Sequence, residues 1–211
     1  MERRSPTPKF DLTAGCLCLD FANTVDDRLS RNPEDKLSGY PELVAFGRQT
    51  GVFSVSEAQN LRRQGRQDPG EASRLFAQAL GVREMIFRIM TAVGNGSAAS
   101  PADVAALNAA LQELHRRSQL APEYGHAAWR FLDNDRGAAR LTGRILRSAA
   151  EVLTSGDIDR VRQCAAGTCS WLFLDRSRSR NRRWCEMRTC GSQHKARAYY
   201  RRKTGRAIVS G

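Results

Sequence analysis

The sequence predicts a mainly α-helical fold with minor β structure. A helical N-terminal domain should occupy residues 1–157, and a small cysteine-bearing unit with a short β-hairpin and a terminal helix should occupy 158–206. Three observations predict this. Leu75, Phe76, Ala79, Leu80, Val82, Ile86, Phe87, Met90 and Val93 recur at helical spacing and give a wide apolar stripe. Ser100, Pro101 and Asp103 form a strong helix-start signal. Four of the six cysteines fall in the last quarter of the chain, together with all of its excess positive charge.

In chain order, residues 1–10 read as a flexible basic arm. Gly15-Cys-Leu-Cys-Leu-Asp-Phe21 is a short, almost unbroken apolar run and reads as a buried strand or extended segment. Asn23 to Asp27 offers turn and cap chemistry, and 28–36 reads as a polar loop. A first helix is expected from about Tyr40 to Thr50, with Leu43, Val44 and Phe46 inward and Gly51 as its stop. A second should follow Ser56 as N-cap and end near Gly65. The third covers about 71–93, and the loop 94–100 ends it. The fourth begins at Ser100 and buries Val104, Leu107, Leu111 and Leu114. Residues 121–132 suit a short strand or hairpin. A fifth helix over about 135–155 carries Leu141, Ile145, Leu146, Val152 and Leu153 and stops at Gly156. The domain boundary is placed near 156–160. Beyond it, Val161–Cys164 and Trp171–Leu174 read as strands, 175–183 as an arginine-rich loop, and 192–203 as a helix.

Charge sharpens the division. Residues 160–211 hold 14 Lys/Arg and 2 Asp/Glu, while the rest balances at 20 of each, so the net +12 lies entirely in the last quarter. Such asymmetry points to nucleic acid or another anionic surface. No stretch approaches the roughly 20 apolar residues that cross a bilayer. The N-terminal segment lacks the apolar core of a secretory signal, so a cytoplasmic protein is expected.

The cysteines follow the pattern Cys-x4-Cys, fifteen residues, Cys-x4-Cys: Cys164 and Cys169, then Cys185 and Cys190. Zinc takes four ligands in a tetrahedron, and each pair on a turn aims two sulfurs at one point. A unit this short buries too little surface to hold itself, so bound metal supplies folding energy. A closed set of four thiolates leaves no site for water, so one structural zinc is expected, not a catalytic one. Around it, Arg176, Arg178, Arg180, Arg182 and Arg183 crowd the loop, and Gln193, Lys195, Arg197, Arg201 and Arg202 lie on the final helix. Arginine forks match phosphate, and Gln and Arg can read base edges, so these ten are the candidate nucleic-acid contacts. Trp171, Phe173, Trp184, Tyr199 and Tyr200 have faces that can stack on bases, but most of the five are expected to form a small core beneath the metal, with Tyr199 or Tyr200 as the remaining stacking candidate.

The segment from Cys164 to Arg202 resembles the CGNR zinc-finger family in its cysteine pairs, in WLFLDRSR and RRWC, and in Met187-x-x-Cys-Gly followed by Lys195-x-Arg197. The namesake Cys-Gly-Asn-Arg is replaced here by Cys190-Gly191-Ser192-Gln193. The N-terminal GCLCLDFANT and the helical region after it resemble the ABATE domain. The resemblance implies a bacterial DNA-binding transcription regulator, induced by stress. It makes Asp20, Asn23 and Thr24 candidates for a pocket that senses a small-molecule signal. Double-stranded DNA is the expected partner, and a homodimer would enlarge the limited interface of one small finger. RNA binding and a zinc-stabilised adaptor docking an acidic protein fit the same charge. Cys16 and Cys18 read as small core residues, and His115 and His126 stand alone. The chain shows no P-loop, HExxH or G-x-S-x-G pattern, so no enzyme is expected.

Overall fold

The structure is a computed structural model describing residues 9–132 and 137–204. Seven helices lie among them: α1 (Leu17–Ala22), α2 (Tyr40–Gln49), α3 (Val55–Gln67), α4 (Pro69–Gly94), α5 (Pro101–Arg116), α6 (Gly137–Thr154) and α7 (Ser192–Thr204). Three antiparallel two-stranded ribbons accompany them: β1 (Val25–Asp26) with β2 (Glu34–Asp35), β3 (Ser118–Glu123) with β4 (His126–Phe131), and β5 (Val161–Gln163) with β6 (Leu172–Leu174). The mainly α fold with minor β is the one the sequence predicts.

α4 forms where its apolar stripe demands. Asp68 caps it by accepting from the Glu71 amide at 2.9 Å, and Pro69 opens its first turn, where a missing N–H costs nothing. α3 is capped two residues earlier than expected, at Ser54 instead of Ser56. Ser54 accepts from the Glu57 amide at 3.2 Å, and Glu57 reaches back to the Ser54 amide at 2.7 Å, a reciprocal box that outcompetes Ser56. At α5, Pro101 takes the first turn as expected, but Ser100 makes no capping bond; Asp103 instead pairs with Arg88 of α4 at 2.5 Å.

The run 15–21 is not a strand. Leu17–Ala22 is a six-residue helix wedged against α4 and α6, with Cys18, Leu19, Phe21 and Ala22 buried. Six residues make less than two turns, too short a run to display a 3.6 period, and four of them are buried, so the sequence reads like a buried strand. Phe10 also departs from expectation. It lies in the core, edge-on to Phe46 at 5.2 Å, and Gln49 pairs with both its amide and its carbonyl. Of the rest of the expected basic arm, Lys9 is exposed and residues 1–8 lie outside the described residues. The polar loop 28–36 contains β2, held by Arg83. This buried guanidinium donates twice to Asp35, at 2.8 and 2.7 Å, and once to Thr24.

One large core spans the helices, and it does not stop at the expected boundary near 156–160. After a 3-10 turn (Ile158–Arg160), Val161 of β5 and Leu172 and Leu174 of β6 enter that same core. Phe173 points the other way, into a second small cluster with Cys164, Cys169, Trp184 and Cys185. Side chains alternate along a strand, so three residues of β6 serve two cores. Asn23, at the C-terminal end of α1, fixes the arrangement. Its Nδ2 donates to the Leu172 carbonyl at 2.8 Å, and its Oδ1 accepts the Leu172 amide at 2.9 Å. Around this seam Trp171 Nε1 donates to the Val25 carbonyl, Thr168 Oγ1 donates to Asp27, and the Leu174 amide donates to the Ala14 carbonyl.

Asn23→Ala strands one buried N–H and one buried carbonyl, each worth about 1–3 kcal/mol. Urea unfolding followed by tryptophan emission should show a loss of about 2–4 kcal/mol with little change in slope. An unchanged midpoint would show that the clamp does not carry the seam.

Candidate metal centre and basic surface

The metal centre is assembled from four short pieces of chain. β5 delivers Cys164, whose amide donates to the Trp171 carbonyl at 2.8 Å and closes the turn 164–169. The turn returns Cys169 beside it. The Ala165 amide donates to the Arg183 carbonyl at 2.9 Å and brings the Trp184-Cys185 segment over that turn. A single wide turn, Met187–Gly191, then presents Cys190 and leads directly into α7. The four ligand sulfurs all lie within 4.8 Å of one another, with Cys169 and Cys185 at 3.8 Å and Cys185 and Cys190 at 3.6 Å. Four thiolates about 2.3 Å from one tetrahedral zinc stand roughly 3.8 Å apart, so the donor set fits zinc in size and chemistry. Without a cation, hydrogen bonds among the thiols favour one thiolate: those from Cys169 and Cys185 hold Cys164 down, while the bond to Cys164 pushes Cys169 and Cys185 up. A divalent ion lets all four ionise together. Cys164, Cys169, Cys185 and Cys190 thus form one closed structural zinc site. His194 is not a ligand; its ring packs on Trp184 at 4.5 Å.

Asp175 organises the arginine loop. Its buried carboxylate accepts from the Ser177 amide at 3.0 Å, the Ser177 hydroxyl at 2.5 Å and the Arg182 amide at 2.8 Å. Burial pushes its pKa up, but these bonds outweigh burial and hold it below the usual carboxylate range. The loop sorts its arginines. Arg182 turns inward: Nε donates to the Trp184 carbonyl at 2.9 Å, Nη2 donates to the Cys185 carbonyl, and the guanidinium lies over Phe173 at 4.5 Å. Arg176 pairs with Asp157 at 3.2 Å. Arg178, Arg180 and Arg183 are exposed, and among the described residues no carboxylate pairs with them. Arg180 holds a left-handed φ of 49°, a strained conformation for a side chain of its size. Gln193, Lys195 and Arg197 are exposed on α7. The side chains of Arg201 and Arg202 lie outside the described residues.

The sensing candidates sit elsewhere. Asn23 is the clamp at the seam. Thr24 donates to the Phe21 carbonyl at 2.9 Å and accepts from Arg83 at 3.1 Å. Asp20 accepts from the Ala14 amide, and burial raises its carboxyl to about 6. Of the aromatic residues, Phe173 and Trp184 lie in the small core, Trp171 bridges to β1, and Tyr199 and Tyr200 stay exposed, edge to face at 5.8 Å. Sequence reasoning missed Asp175, Arg83 and Asp27. For Asp175 a signal was present, because Asp-x-Ser is a pattern in which a side chain caps its own turn.

Fold and site together define a helical protein that carries a four-thiolate zinc finger. Residues 15–156, two thirds of the chain, match the ABATE family model, described as "Putative stress-induced transcription regulator", and residues 160–203 match the CGNR zinc finger. The chain belongs to the ABATE family and ends in a CGNR finger. No curated protein shows significant similarity to it. Neither matched description is that of an enzyme, and no helix among the described residues is long and apolar enough to cross a membrane.

Metal analysis should find one zinc per chain, and Cys185→Ser should abolish it. Residues 164–190 should then become protease-sensitive, while the helical circular dichroism persists through the large core. Full zinc content in that variant would refute the four-thiolate site.

Proposed function

We propose that this protein is a DNA-binding transcription regulator whose finger grips duplex DNA through its arginine loop and α7. The observation that carries this reading is the exposure of Arg178, Arg180, Arg183, Gln193, Lys195 and Arg197 on one zinc-held unit that also carries all the excess charge. Arg178, Arg180 and Arg183 contact phosphates, which position a protein on the duplex. Gln193 and Arg197, in the first turns of a helix that starts at the metal, are placed to read bases in the major groove. Arg176 and Arg182 support the loop, and Arg201 and Arg202 add positive charge to the same segment. The division of labour falls at 157/158: the helical part senses a signal and dimerises, and the finger binds DNA in the cytoplasm. No residue is assigned a catalytic role.

A second reading, binding of single-stranded RNA, draws on the exposed Tyr199–Tyr200 pair, since aromatic faces stack on unpaired bases. Both readings predict steep salt dependence, so duplex DNA and single-stranded RNA are compared at matched salt. The triple variant Arg178→Ala, Arg180→Ala, Arg183→Ala should keep its zinc and flatten the duplex salt slope by about 2–3, near 0.9 per lost phosphate contact. Tighter binding to RNA than to duplex would decide for the second reading. A slope equal to that of wild type would remove the loop from the interface. Capture of an acidic protein that survives nuclease, with no nucleic-acid binding, would make the finger an adaptor.

A further inference from the structure

A second basic surface lies outside the finger. α6 presents Arg140, Arg144 and Arg147 at spacings of four and three residues, which set side chains on one helix face. They line a groove of about 770 Å³ between α6 and β4, together with Arg130 and Trp129 of β4 and Leu17 of α1. Four guanidinium groups meet two carboxylates there, Glu123 and Glu151. Arg140 is engaged by Glu57 at 2.6 Å, and Arg130 stands 3.7 Å from Glu123 in an exposed pair of little strength.

Arg144 and Arg147 are different. Arg144 is exposed, and no carboxylate among the described residues pairs with it. Arg147 is held rigidly. It donates to the buried Ser118 hydroxyl at 2.7 Å and lies over the Trp129 ring at 4.1 Å, whose other neighbour is the stacked imidazole of His115. Its Nε is enclosed and has no acceptor among the described residues. Burial, and then the like charge of Arg144, lower its pKa; Glu151 acts in the opposite sense. A guanidinium stays protonated even so. Its charge therefore sits in surroundings that disfavour it, with a donor unmatched, beside a second arginine free to close on the same ligand.

We propose that this groove is a binding site for a small oxyanion ligand, a phosphate or carboxylate, with Arg147 as the fixed half of the grip and Arg144 as the mobile half. Trp129 and Ser118 pre-order Arg147, so little conformational freedom is lost on binding. The groove also reaches α1. Ser148 on its wall accepts the Cys18 amide at 3.2 Å, and α1 ends one residue before the Asn23 clamp on the finger strand. The groove therefore lies one short helix away from the seam.

The test is calorimetric titration of the full zinc-loaded chain with inorganic phosphate and, separately, with acetate, at fixed ionic strength set with chloride. Saturable one-to-one binding of at least one of them is expected, and which one binds tells phosphate from carboxylate ligands. Arg144→Glu, on an exposed side chain that leaves the fold intact, should weaken it about tenfold or more. Arg147→Lys, which keeps the charge but loses the planar fork, should weaken it too. Absence of saturable heat with both anions overturns the proposal. So does anion binding that survives Arg144→Glu but vanishes in the Arg178/Arg180/Arg183 triple alanine variant, which puts the anion on the finger. An Arg144→Glu chain whose duplex-DNA salt slope falls while wild type binds neither anion also overturns it, since the groove is then part of a nucleic-acid surface. DNA binding can fail with anion binding intact, so the two readings stand or fall separately.

Discussion

Three residues of β6 hold the molecule together. Leu172 and Leu174 are buried in the helical core, and Phe173 between them is buried beneath the zinc cysteines. A strand alternates its faces, so this one element belongs to two cores at once. Its backbone therefore lies where no water reaches, and the Leu172 amide and carbonyl must be satisfied there. Asn23 does so with both ends of one side chain. The carboxamide is the side chain suited to this, since it offers a donor and an acceptor without a charge to desolvate. The rest of the finger is built outward from that fixed strand.

Electrostatics follow a complementary rule. In the helical part, arginines are spent internally: Arg28 on Glu84, Arg83 on Asp35, Arg88 on Asp103, Arg140 on Glu57. Many of the acids and bases before residue 160 are thus realised as actual pairs, and Arg144 and Arg147 of α6 stand outside that pairing. In the finger, Asp175 is consumed in shaping its own loop, so it leaves the field of the exposed arginines standing. A loop of nine residues would ordinarily sample many conformations. Here a buried carboxylate and an inward arginine fix its path, which lowers the entropy lost when the outer arginines meet a partner.

Much of this was legible in the sequence. The helices α2, α4, α5 and α6, the ribbon β3–β4, the finger strands and α7 could be read from apolar periodicity, proline and cap residues. The metal site could be read because cysteine spacing encodes it locally. What escaped was whatever depends on contacts distant in sequence. α1 reads like a strand because its six residues are too few to display a helical period and most of them are apolar and buried. Phe10 looked like part of a tail because its partner Phe46 lies far along the chain. Asn23 looked like a turn former because its partner, Leu172, is 149 residues away. Within the loop, five arginines look alike in sequence; Phe173 and the carbonyls of Trp184 and Cys185 decide that Arg182 faces in.

The sharing of β6 bears on how such a molecule can be taken apart or recombined. A finger cut free at residue 160 would carry Val161, Leu172 and Leu174 as a bare apolar strip, and the helical body would keep an open slot where Gly15 now meets Leu174 and Gly94 meets Val161. Each fragment would be sticky in the same place. The finger is therefore no detachable cassette that could be moved onto another scaffold, although its two halves look separable when only their cysteines and helices are considered.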